Sequence, residues 1–158
     1  MMVDDFSRYS NVGFLREKSN AVEFLTTKCR VLQNQHEVTI NRIRSDNNTE
    51  FKEAKVDLYC DSIGIKYEFS AVKTPQQNGI IERKNRTIQG MARSMLIGRK
   101  VSRRFWAEAV STPCHTVNRV YLRPHTLKTP YELWTGKKPN LAYFRVFGSK
   151  CYILWDRE

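Results

Sequence analysis

The succession of apolar periodicities in the first half of this chain constrains its fold more than any single residue does. Met1 to Asp5 reads as the end of a strand, Phe6-Ser7-Arg8-Tyr9 as a turn, and Asn11 to Arg16 as a short strand. Beyond Ser19, a candidate N-cap, Val22, Leu25, Cys29 and Leu32 recur at helical spacing, which predicts an amphipathic helix to about Asn34. Val38 to Arg44 alternates like a strand and stops at Ser45-Asp46. Glu50 to Ser62 suits a helix ended by Gly64, with either Ala54, Leu58 and Ser62 or Val56, Tyr59 and Ile63 inward. Ile65 to Phe69 is a further short strand, and Val72 to Gly79 a polar loop. Helices then follow near Ile80 to Ile97, from Ser102 to about Val120, and from Thr129 with Pro130 at the first helical position. The first of these would bury Ile81, Ile88, Met91, Ala92 and Met95; the second would bury Phe105, Trp106, Ala109 and Val110. Arg145 to Leu154 reads as a closing strand. Strand, strand, helix, strand, helix, strand, then helices is the order of an α/β fold with a mixed sheet.

A chain of 158 residues fits one such domain. Its 41% apolar and 27% charged residues are ordinary for a folded protein. No apolar run reaches the roughly 18 residues that would span a bilayer, and the start lacks a signal-peptide pattern, so a membrane partner is not expected. Cys29, Cys60, Cys114 and Cys151 form no C-x-x-C pair and complete no zinc spacing with His36, His115 or His125; they read as reduced thiols. Charge is unevenly spread. Residues 1–82 hold 11 basic and 12 acidic side chains, whereas residues 83–158 hold 16 and 4. So much positive charge in one half points to a polyanion, most often nucleic acid, with a solvated basic surface as the plainer alternative.

Two carboxylates stand where chemistry is often placed. Asp46 follows the carboxyl end of a predicted strand, and Glu82 lies in the first turn of a predicted helix, with 35 residues between them. On spacing alone a strand-end turn residue and a first-turn dipole partner, or an i,i+4 ion pair with Arg86, explain them as well. Their surroundings do more. Thr74-Pro75-Gln76-Gln77-Asn78-Gly79-Ile80-Ile81-Glu82-Arg83-Lys84-Asn85-Arg86 resembles the third acidic motif of copia-type retrotransposon integrases, and Ile43-Arg44-Ser45-Asp46-Asn47-Asn48-Thr49-Glu50-Phe51 resembles the second. The interval matches that family's D-x35-E pattern. Phe105-Trp106-Ala107-Glu108-Ala109-Val110, Asn118-Arg119, Thr129-Pro130-Tyr131-Glu132-Leu133-Trp134 and Arg145-Val146-Phe147-Gly148 resemble further landmarks in the same order, and Val3-Asp4-Asp5-Phe6-Ser7-Arg8-Tyr9 resembles the family's second strand.

The resemblance implies a ribonuclease H-like fold and metal-dependent polynucleotidyl transfer, the joining of retroelement DNA ends to target DNA. It implies Asp46 and Glu82 as catalytic ligands of Mg2+ or Mn2+, since such ions take oxygen donors. Gln77, Asn78, Arg83, Lys84, Arg86 and Arg93 would meet nucleic acid; Glu82, Arg86, Gln89 and Arg93 share one helical stripe. The family carries a third, earlier carboxylate whose motif has no match here. Asp4 and Asp5 sit in the context of the following strand, so the chain is expected to begin one strand late. It would then be an inactive fragment that still binds nucleic acid, with exposed strand edges. The expected division is an integrase core over residues 1–122 and a helix and strand extension over 123–158. A nuclear location and a homo-oligomer follow from the family. A non-catalytic basic nucleic-acid-binding module, or a nuclease of the same fold, are the rival readings.

Overall fold

Asp4 builds the first turn. Its Oδ2 accepts both the backbone N–H and the hydroxyl of Ser7 at 2.7 Å, and its own N–H donates to the Tyr9 carbonyl at 2.9 Å. This turn joins β1 (Met2–Val3) to β2 (Ser10–Asn11), an antiparallel pair with Val3 opposite Ser10. The computed structural model describes residues 1–36, 39–45, 54–69, 75–152 and 154. They fall into two compact units: Met1–Val12 with Arg83–Glu158, and Gly13–Glu82.

In the first unit, two helices supply most of the core: the Arg83–Gly98 part of α3 (Pro75–Gly98) and all of α4 (Trp106–Val120), which follows a 3-10 turn over Arg103–Phe105. Ile88, Ala92 and Leu96 lie on one face of α3, and pack with Ala109, Val110 and Cys114 of α4; Met1, Val12, Val101 and Phe147 close around them. The spacing i, i+4, i+8 on α3 is the expected apolar stripe, but shifted: Leu96 is buried where Met91 and Met95 are only partly covered. On α4, Phe105 and Trp106 are 39% and 37% exposed, and burial falls instead on Pro113, Cys114, Val117 and Asn118.

The hairpin is held by a side chain. Asn118 accepts the Ser10 N–H at 3.0 Å and donates to the Ser10 carbonyl at 2.8 Å, so its amide does for Ser10 what a neighbouring strand would do. One residue along, Arg119 lies 4.3 Å over the Tyr131 ring, and Tyr9 stacks on Trp134 at 5.4 Å. Tyr131 and Trp134 belong to α5 (Pro130–Thr135). Its start is as the sequence predicts: Thr129 Oγ1 accepts the Glu132 N–H, the Glu132 carboxylate accepts the Thr129 N–H at 2.8 Å, and Pro130 opens the helix. Gly136, at φ 72°, ends it.

In the second unit, α1 (Ala21–His36) and α2 (Ala54–Ser62) pack through Val22, Leu25, Cys29, Leu32, Val56 and Cys60, all buried. Tyr59 donates to the Thr26 carbonyl at 3.1 Å. Of the two inward faces predicted for α2, Val56 is buried and Tyr59 half-buried as the second requires, but Ile63 is 39% exposed; Leu58, of the other face, is 68% exposed. Gly64 (φ 69°) ends α2, and the Ile65 N–H reaches back to the Cys60 carbonyl. β3 (Arg42–Ser45) and β4 (Lys66–Phe69) run parallel and in register, Arg42 beside Lys66 and Ser45 beside Phe69, with α2 in the crossover between them.

Other expectations change. Ser19 does not cap α1: it lies inside a 3-10 turn, Lys18–Asn20, with its hydroxyl given to Glu17 at 3.2 Å. The strand expected over Asn11 to Arg16 ends at Asn11, and beyond it the Phe24 ring sits against Gly13 where a side chain would otherwise be. The loop expected up to Gly79 is helical from Pro75, a residue suited to a first helical position. Finally, the described residues from 145 onward form turns and no strand; Gly148 is left-handed, at φ 77°. Among the described residues the strands make two separate pairs, one antiparallel and one parallel, where the sequence predicts a single mixed sheet.

Candidate nucleic-acid interface

Helix α3 carries most of the predicted site. Glu82 is exposed and lies one turn before Arg86, which is exposed too. The two do not form the i,i+4 ion pair that would have explained Glu82 structurally; among the described residues no ion pair engages Arg83, Arg86 or Arg93. Arg93 is instead held along the helix by neutral partners. Its guanidinium donates to Gln89 Oε1 at 3.2 Å, and Gln89 donates to Asn85 Oδ1 at 3.2 Å. Neutral acceptors leave its charge uncompensated, which suits a phosphate contact. Beside this stripe runs an open groove of about 490 Å³, lined by Arg86, Thr87, Gly90, Met91, Ser94 and Met95.

Lys84 differs from its neighbours. It is half-buried, and its ammonium donates to the Arg8 carbonyl of the hairpin turn. Burial pushes its pKa down to about 8. Lys84 therefore ties α3 to the β1–β2 turn, whereas Arg83, Arg86 and Arg93 face solvent. The sequence pattern could have warned of this, since Lys84 is four residues before the fully buried Ile88 and on its face.

Gln77 and Asn78 fall in the first turn of α3; their side chains lie outside the described set. Asp46 is outside the described residues, one position beyond the end of β3. The strand end before it is tied down: the Ser45 and Tyr67 hydroxyls are 2.7 Å apart, and Tyr67 packs edge-on to Phe69. Asp4 is occupied with Ser7, as its turn requires, and Asp5 pairs with Arg8. Among the described residues, no group of three or more His, Cys, Asp or Glu side chains gathers to hold a metal ion. The described donors thus do not by themselves make a Mg2+ or Mn2+ site.

No family model matches the chain. Individual proteins do. The chain is 35% identical over 156 residues to the retrovirus-related Pol polyprotein of transposon TNT 1-94 from Nicotiana tabacum, covering 99% of this chain and 12% of that polyprotein. It is 31% identical over 152 residues to the Pol polyprotein of transposon RE1 from Arabidopsis thaliana, covering 96% of this chain and 10% of that one. The chain is a homologue of retrotransposon Pol polyproteins. It spans a small part of their length. Its fold is that of retroviral integrase catalytic cores, which are ribonuclease H-like. A simian T-cell lymphotropic virus intasome, solved with the PP2A regulatory subunit B56 gamma, superposes with TM-score 0.68 at 21% identity, covering 98% of this chain and 52% of that one. The HTLV-2 integrase catalytic core in complex with magnesium, in a trimeric form, gives 0.62 at 19% identity over 82% of this chain and 79% of that one. No helix among the described residues is long and apolar enough to cross a membrane.

Proposed function

We propose that this retrotransposon chain is an integrase-type core that binds DNA along α3, with Asp46 and Glu82 as the two carboxylates assigned to Mg2+ or Mn2+, and that by itself it holds DNA without joining it. The observation that carries the reading is the solvent-facing set of Arg83, Arg86 and Arg93 on one helix, with no ion pair among the described residues to neutralise them. The magnesium-bound HTLV-2 core supports the choice of ion. The acidic motifs read from the sequence support the two residues. Retroelement ends and target DNA are the proposed substrates, a second copy of the chain the proposed partner, and the nucleus the proposed place of action.

The test is DNA binding to the 158-residue chain over a range of salt, with Arg86→Gln/Arg93→Gln beside it. Every phosphate that is no longer neutralised should flatten the slope of log affinity against log salt by about 0.9, so the double variant should shed nearly two units. An unchanged slope would place the DNA elsewhere. A strand-transfer assay with Mn2+ completes the test: joining that is abolished by Glu82→Gln would show that the chain keeps its chemistry, contrary to the last part of the proposal.

A further inference from the structure

The second unit is electrically balanced, with ten basic and ten acidic residues. Four of its charges are nonetheless gathered at one place. Because β3 and β4 pair in register, alternate residues put Arg42, Arg44, Lys66 and Glu68 on the same face. Glu68 lies 3.5 Å from Arg42, 3.3 Å from Arg44 and 3.3 Å from Lys66. Among the described residues one carboxylate therefore serves three cations, which leaves two positive charges in excess. The cations' side chains are 47–66% exposed, while Glu68, at 25%, sits among them. Its carboxyl is held below the usual range, first by the hydrogen bond from Lys66, so it stays ionised and keeps the three heads gathered.

A structural ion pair needs one acid for one base. Exposed networks of this kind add little to stability, and three cations crowded on one face of a strand pair repel one another. We infer that the exposed face of β3 and β4 is a second nucleic-acid contact, taking the phosphodiester backbone of duplex DNA on Arg42, Arg44 and Lys66. Alternate residues on a strand are about 6.6 Å apart and neighbouring strands about 4.8 Å, so the three cations rise from separate points of the face and their heads meet at Glu68. A phosphodiester backbone offers them several phosphates in place of that one carboxylate. Arginine forks suit phosphate oxygens. This contact does not depend on Glu82 or on the cations of α3, and it lies in the half of the sequence whose net charge gives no hint of it.

The experiment measures anisotropy of a labelled random-sequence DNA duplex against the full chain, as a function of salt, in the Arg86→Gln/Arg93→Gln background. Adding Arg42→Gln/Arg44→Gln should weaken binding and flatten the salt slope further by about 1–2 units. Glu68→Gln should act in the opposite direction and tighten binding, because it removes the carboxylate that offsets these cations. A network that is merely structural predicts a lowered melting temperature for Glu68→Gln with no gain in affinity, and that result would overturn the inference. So would an unchanged slope in Arg42→Gln/Arg44→Gln. If that double variant does not fold, Glu68→Gln decides alone. If the α3 variant binds like the unmutated chain while the β3 variants still respond, the inference stands and the α3 reading fails.

Discussion

The unit formed by residues 1–12 and 83–158 holds 17 basic and 6 acidic residues, which is the entire net charge of +11; the unit formed by residues 13–82 holds ten of each. They also satisfy their strands differently. In the charged unit the β2 backbone is completed by the Asn118 amide, buried with Ser10. In the neutral unit β3 and β4 satisfy each other, and their outer face is dressed with ions. Buried polar tethers are costly to break and indifferent to salt, whereas exposed ion networks are the reverse. The lesson is that net charge points to one basic surface and conceals another.

The largest effect should come from Asn118→Leu. It strands the buried Ser10 N–H and removes one donor from the Ser10 carbonyl, which keeps the Cys114 thiol at 3.4 Å. A destabilisation of about 2–4 kcal/mol is expected, read by denaturant unfolding. Hydrogen exchange should show weakened protection along α4 and β2 with Val56 and Cys60 unaffected. Equal weakening in both units would break the comparison.

Thr129→Ala should cost less, about 1 kcal/mol, because it removes the cap of a single short helix that Tyr131 and Trp134 also anchor. Undiminished stability would mean that the aromatic contacts alone hold α5.

An effect that is absent at neutral pH sharpens the comparison from the neutral side. Burial raises the Cys29 thiol from 9.0 to about 11. The unfolded chain forms thiolate at the lower value, so the stabilising contribution is complete below pH 9 and is lost as pH rises toward 11. Exchange protection of α1 and α2 should decline over that window, and Cys29→Ala should lessen the decline, while Cys60, also raised by burial, contributes the rest. Cys151, which is exposed, should react with a thiol reagent well before Cys29 at neutral pH.

What is legible in the sequence is local chemistry. Thr129, Pro130 and Glu132 fix a helix start within four residues, and Gly64 fixes a helix end, so both can be read directly. The stripe of Glu82, Arg86 and Arg93 follows from helical periodicity alone. The Asn118–Ser10 tether joins positions 108 apart, and no local pattern announces it. The approach of the Phe24 ring to Gly13 comes from another element and is not written in the segment around Gly13. The charge patch on β3 and β4 needs the pairing register, which an isolated alternating segment does not contain. Arg145 to Leu154 has a strand's composition, but the described residues there pair with no neighbouring strand.

The tether of Ser10 to Asn118 also bears on how the chain is made. Their separation is 108 residues, and synthesis adds about 5–20 residues per second. On the ribosome the hairpin therefore waits on the order of 5–20 seconds for the amide that closes its edge. During that interval β2 has an open hydrogen-bonding side, and a chaperone or a neighbouring nascent chain can reach it.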